Sequence, residues 1–148
     1  MYLEFSLQNL KQLASTNTVL YVEDDDTLRD TVSMYLKKFF AHVDIASNGL
    51  EGLETYEKDK YDLIITDIGM PKMDGIEMSS QIKKQDEFQI ILIISAYSDP
   101  EYFNESIKIG VDGYILKPLD YEQMNIALYK ILLKINEHKE LLKLKGEI

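Results

Sequence analysis

The chain has 148 residues, of which 45% are hydrophobic and 28% charged, with no cysteine, two histidines and a formal net charge of −10. That length and mix suit one domain with a single core. The lack of cysteine excludes disulfides, thiolate catalysis and cysteine-built metal centres, and His42 and His138 alone are too few for a histidine-rich zinc site. The acidic balance opposes direct binding to nucleic acid or to an anionic membrane, both of which need clustered Lys and Arg.

Leu3, Leu7, Leu10 and Leu13 stand at helical spacing and predict a short packing helix in an N-terminal extension over 1–17. Glu4 and the absence of a basic segment there do not suit a signal peptide, and no apolar run approaches the ~20 residues of a membrane span, so the chain reads as cytoplasmic. Val19 to Val22 form a first strand. Leu28, Val32, Leu36 and Phe39 then follow helical spacing, with Asp26 expected as the helix cap. His42 to Ala46 make a second strand, and Ser47-Asn48-Gly49 turn and cap a helix marked by Leu50, Leu53 and Tyr56. Neither histidine has an evident partner.

Leu63 to Thr66 read as a third strand that ends on a lone acid, Asp67, followed by a stiff loop with Gly69, Pro71 and the turn pair Asp74-Gly75. Helix is predicted over Ile76 to Lys84. The five apolar residues Ile90 to Ile94 suit a strand buried on both faces. Pro100 opens a helix that stops near Gly110, Tyr114 to Leu116 form a fifth strand, and a long helical pattern runs from about Asp120 to about Lys145. Strands alternating with helices predict an α/β doubly wound five-stranded parallel sheet with an extended C-terminal helix. In such sheets ligands bind beyond the carboxyl ends of the strands, where the strand order reverses.

Those ends carry complementary chemistry: Glu23-Asp24-Asp25-Asp26 after the first strand, Asp67 after the third, Ser95 at the fourth and Lys117-Pro118 after the fifth. Clustered carboxylates repel unless a cation lies between them. A hard ion such as Mg²⁺ takes oxygen ligands, and a lysine gives a point charge for a phosphoryl oxygen. The set suits phosphoryl transfer to Asp67.

The segments "VLYVEDDDTLR", "DLIITDIGMPKMDG", "ISAYSD" and "GYILKP", in this order, resemble the receiver domain of bacterial two-component response regulators, over about Thr18 to Glu137. The resemblance implies a flavodoxin-like receiver over 18–137, with 138–148 extending the final helix as a linker. It implies that Asp67 accepts a phosphoryl group from the phosphohistidine of a sensor histidine kinase or phosphotransfer protein. Asp24 would ligate Mg²⁺ directly, Glu23 through water, and Gly69 through its backbone carbonyl, with Asp67 completing the set. Ser95 and Tyr114 would form the switch pair, Lys117 would bind the phosphoryl group, and Pro118 would follow a cis bond. The sequence departs from the family pattern at Glu23, where aspartate is commoner, and at Gly69, which lacks a side chain to shield the phosphoryl group; Tyr97 stands where it can shield it instead.

Two further readings compete. "VEDDDTL" approaches the motif of haloacid-dehalogenase-like phosphatases, with Asp24 as nucleophile and Asp26 as acid/base, but the motif's glycine is missing and the chain has no room for a substrate cap. An interaction module that keeps the fold without phosphorylation is the other. For self-association two faces stand out. One is made by the helix from Pro100, the fifth strand and the final helix. The other is a seam on the final helix, where Leu128, Ile135 and Leu142 recur every seven residues beside Ile131, Leu141 and Leu144; against that seam stand two plainer readings, that these residues fold back onto the N-terminal helical segment or that the last turns fray.

Overall fold

The structure, a computed structural model, describes residues 5–96 and 100–147. Its elements are α1 (Leu7–Ala14), β1 (Thr18–Val22), α2 (Asp26–Leu36), β2 (His42–Ala46), α3 (Gly49–Lys58), β3 (Leu63–Thr66), α4 (Gly75–Gln85), β4 (Ile90–Ser95), α5 (Pro100–Ile109), β5 (Gly113–Leu116) and α6 (Tyr121–Leu144). The strands pair in parallel in the order β2-β1-β3-β4-β5, as the alternation predicts. No helix among the described residues is long and apolar enough to cross a membrane.

Successive strand residues face opposite sides, and the core divides accordingly. Val19, Tyr21, Leu63, Ile65, Leu92 and Ile94 point to the side covered by α1, α2 and α6. Leu20, Val22, Ile64, Ile91 and Ile93 point to the side covered by α3, α4 and α5. Helix starts are set by capping side chains: Ser6, Asp25, Asn48, Asp74 and Asp120 each accept from a backbone N–H in the first turn. Asp25, not Asp26, therefore caps α2. Asp26 is already inside the helix, where its negative charge suits the N-terminal dipole. Asp74 likewise does more than turn the chain, since it caps α4. After α5, Gly110 at φ +91° donates to Ser106 and Ile107 and ends the helix where expected. His42 does have a partner: its Nε2 lies 2.8 Å from Asp44 Oδ1, two residues along the same strand face.

The seven-residue stripe on α6 is the largest departure. Leu128 is fully buried and Ile135 nearly so, in one cluster with Leu10, Leu13 and Ala14 of α1. The seam positions Leu128 and Ile135, and Ile131 between them, are thus used inside the domain, against the sheet and α1. Asn17 fastens the joint. Its Nδ2 donates to Leu13 O and Asn136 Oδ1, and its Oδ1 accepts from Lys139 Nζ at 2.6 Å. Lys139 also pairs with Asp62 at 2.9 Å. Only Leu141 and Leu144 remain well exposed near the helix end, with Leu142 half-buried. Leu3 and Tyr97 lie outside the described residues.

Candidate functional site

The strand order reverses between β1 and β3, so the residues after these neighbours flank one crevice. Backbone bonds carry the pairing past the strand ends: Glu23 N–H donates to Ala46 O and Asp67 N–H to Val22 O. One carboxylate oxygen from each of Glu23, Asp24 and Asp67 falls within 4.8 Å of the others. Asp24 is exposed, while Glu23 is 1% and Asp67 7% exposed.

Lys117 joins the group from β5. Its Nζ lies 2.9 Å from Glu23 Oε1 and 3.0 Å from Asp67 Oδ2. Lys117 N–H donates to Ser95 O, which places the buried Ser95 beside it, and the Lys117–Pro118 peptide is cis. The second Glu23 oxygen accepts from Asp25 N–H, and the second Asp67 oxygen from Ile68 N–H. Burial pushes the Glu23 carboxyl up, helped by the neighbouring Asp67 charge and opposed by Lys117 and the Asp25 N–H. Burial works to lower the Lys117 ammonium, but its bonds to Glu23 and Asp67 outweigh that and hold it up.

The loop after Asp67 is held on two sides. Gly75 N–H donates to Ile68 O, and Gly49 N–H, at the start of α3, donates to Met73 O. Lys72 takes the left-handed φ of 69° that the tight turn demands. A Cβ on Gly75 would sit 1.8 Å from Asp67 O, so only glycine admits this approach. Gly69 is half-buried, and its carbonyl accepts no backbone hydrogen bond from the described residues outside the regular elements. Tyr114 is half-buried on the α5 side, edge-on to Phe103 with ring centroids 5.5 Å apart.

Glu23, Asp24, Asp67, Ser95 and Lys117 therefore meet at one edge, with Gly69 in the adjoining loop and Tyr114 on the neighbouring face. Two supporting residues were not legible in advance. In the sequence Gly75 reads only as fixing, with Pro71, the stiff turn after Asp67, with no sign of its close approach to the Asp67 backbone, and Arg29 donates from Nη1 to Glu23 O at 2.8 Å. Asp26 does not stand with Asp24 as an acid/base. Its carboxylate is 86% exposed and pairs with Arg29 at 2.6 Å, which removes the geometry that the phosphatase reading needs.

The donor set fits a small hard cation: three carboxylates, all oxygen donors, beside the Lys117 ammonium. Residues 19–129 match the family described as response regulator receiver domain. The chain is 35% identical to the chemotaxis protein CheY of Halobacterium salinarum over 114 residues, 77% of this chain and 95% of that one. It is 35% identical to the response regulator ArlR of Staphylococcus saprophyticus over 130 residues, 88% of this chain but only 58% of that protein. Among solved structures it resembles one chain in the CheX-CheY-BeF3-Mg²⁺ complex from Borrelia burgdorferi, with TM-score 0.72, 28% identity, 79% of this chain and 90% of the matched one covered.

Proposed function

The chain belongs to the response regulator receiver domain family, and on that premise we propose that it is a phosphoacceptor switch, loaded at Asp67 from the phosphohistidine of a sensor histidine kinase or phosphotransfer protein. The carrying observation is that Asp67 shares Lys117 with Glu23 while three carboxylates converge. An Asp67 oxygen bonds to phosphorus as the P–N bond breaks, and the electron pair leaves on the imidazole nitrogen. Lys117, already 3.0 Å from Asp67 Oδ2, turns its ammonium to the transferred phosphoryl oxygens, and the Ser95 hydroxyl donates to another. Asp24, Asp67 and the Gly69 carbonyl, with Glu23 through water, would hold Mg²⁺, which would supply charge neutralisation for the acids and the incoming group. The chain's part is positioning and electrostatics, as phosphoryl transfer requires.

The phosphoryl group adds roughly −1.5 to −2 charge beside Ser95 and Lys117. A preference of ~2–3 kcal/mol for one arrangement of Ser95 and Tyr114 shifts the switch equilibrium by tens to about a hundredfold. The output face is that of α5, β5 and α6, where Phe103, Ile107 and Leu116 are 47%, 59% and 46% exposed. It is a better surface for a partner or second copy than the α6 seam, whose Leu128 and Ile135 are buried. The receiver unit is taken as 18–137, with 1–17 and 138–148 as its extensions.

The test is intact-protein mass after incubation with acetyl phosphate and Mg²⁺. Wild type gains one phosphoryl group. Asp67→Asn and Asp24→Asn do not, the first for want of a nucleophile and the second for want of a metal ligand. Equal labelling of Asp67→Asn refutes the assignment.

A further inference from the structure

At the opposite edge of the sheet, under the N-terminal ends of β1, β3 and β4, lies a cleft of about 750 Å³, within the ~300–1,000 Å³ usual for small-molecule sites. One wall is α6 from Lys134 to Leu142, which overshoots the sheet. That wall lies outside the family-matched residues 19–129, while most of the remaining lining, from Tyr56 to Asp112, lies within them. We propose that this cleft binds a small amphipathic anion, a carboxylate, sulfonate or phosphate carried on an aromatic or otherwise apolar body.

The apolar half of the argument is the lining. Ile90, Ile135 and Leu142 supply apolar lining. Phe88 stands at the rim 72% exposed, where its ring can pack on a bound apolar body. The polar half is a count of hydrogen-bonding capacity. The two inner acids are already satisfied. Asp62 accepts from Thr18 N–H and Thr18 Oγ1 and pairs with Lys139. Asp112 accepts from Ile91 N–H and pairs with Lys83 at 3.7 Å and Lys134 at 3.5 Å.

The basic groups are not satisfied in the same way. Lys134 is 65% exposed and among the described residues has that long contact alone, although an ammonium carries three donors. Among the described residues, Lys60 and His138 line the cleft with neither a hydrogen bond nor an ion pair. Three basic side chains with spare donors, Lys60, Lys134 and His138, thus stand against one lining acid, Glu87, whose carboxylate has no partner among the described residues. The remaining acids, Asp86 and Glu87, are exposed at the rim, and Asp86 Oδ1 already accepts from Phe88 N–H. One effect runs the other way. The C-termini of α3, α4 and α5 end at this edge and favour a cation. A pair of probes of opposite charge therefore decides the sign.

The full chain is titrated with anilinonaphthalene sulfonate and with naphthylmethylammonium, and bound probe is mapped by amide chemical shifts. The sulfonate is expected to saturate at one site, shifting Phe88, Gln89, His138 and Leu142. Lys60→Glu and His138→Glu, both at exposed positions, should each weaken it roughly tenfold, and Phe88→Ala by a similar factor, with circular dichroism unchanged. Asp67→Asn should bind as wild type does, so the site stands or falls apart from the phosphoacceptor reading. Equal or tighter binding of the ammonium probe, indifference to all three substitutions, or shifts centred on the α5–β5–α6 face would overturn the proposal.

Discussion

Replacing Gly75 by alanine separates two reasons for glycine in this fold. Gly75 is the first residue of α4 and has no left-handed φ. Helix propensity alone therefore predicts that alanine stabilises by up to ~1 kcal/mol. The structure predicts the opposite sign. The new Cβ would lie 1.8 Å from Asp67 O, 2.9 Å from Asp67 C and 3.2 Å from Ile68 Cα, all backbone atoms that no rotamer can move aside. The two segments must part by about 1 Å or more, which breaks the Gly75 N–H to Ile68 O bond at a cost of ~1 kcal/mol and adds ~1–3 kcal/mol of packing strain. Less the ~1 kcal/mol that helix propensity returns, the net cost is about 1–3 kcal/mol, or a Tm loss of roughly 3–10 °C for a chain of this size. A shift of about 1 Å in the Asp67 backbone should also slow labelling by acetyl phosphate on the order of 100-fold. Gly110→Ala is the control. There φ is +91° and nothing lies within 4 Å, so the cost is conformational alone, ~1–2 kcal/mol, with labelling unaffected. If Gly75→Ala melts and labels like wild type in parallel thermal and mass measurements, the close-approach reasoning is wrong.

Leu128→Ala should cost ~2–5 kcal/mol in urea denaturation while leaving the sedimentation coefficient unchanged, because the side chain is fully buried within the domain; a change of oligomeric state without loss of stability would restore the seam. Leu10→Ala should cost a similar ~2–5 kcal/mol within a single cooperative transition, since α1 shares the core of α6; a separate low-temperature transition would make α1 a detachable appendage. Burial, with the Glu23 and Asp67 charges, pushes the Tyr21 phenol upward. A raised folded value means stability that is present below the unfolded tyrosine value of about 10 and lost as pH rises through the folded one. Wild type should therefore lose up to about 1.4 kcal/mol per pH unit more than Tyr21→Phe above that point. Parallel stability curves for the two proteins between pH about 9 and 11 would contradict the assigned environment.

The site's outline was legible because it is built from strand ends. Period-two and continuous apolar runs located β1, β3 and β4, and any residue that follows a parallel strand must lie on the sheet's carboxyl edge. Asp67, Asp24, Ser95 and Lys117 were thus brought together by topology before any distance was known. The stops were equally local: Gly110 ended α5 and Asn48 capped α3 through groups within one turn of the chain. Tertiary structure decided what local pattern leaves open. Three consecutive aspartates are all competent caps, and only the backbone's entry into α2 selected Asp25. An Asp-Gly pair reads as a turn wherever it occurs, and only the approach of Asp67 O makes Gly75 irreplaceable. The apolar stripe of α6 states that the helix buries one face, but its spacing is the same whether the partner is another chain or a helix far away in this one. The choice was made by contacts such as Asn17 with Asn136, 119 residues apart, and by the loss of water from Leu10, Leu128 and Ile135 together. The cleft beneath the sheet arose the same way, from side chains of five segments that meet only once the chain has folded.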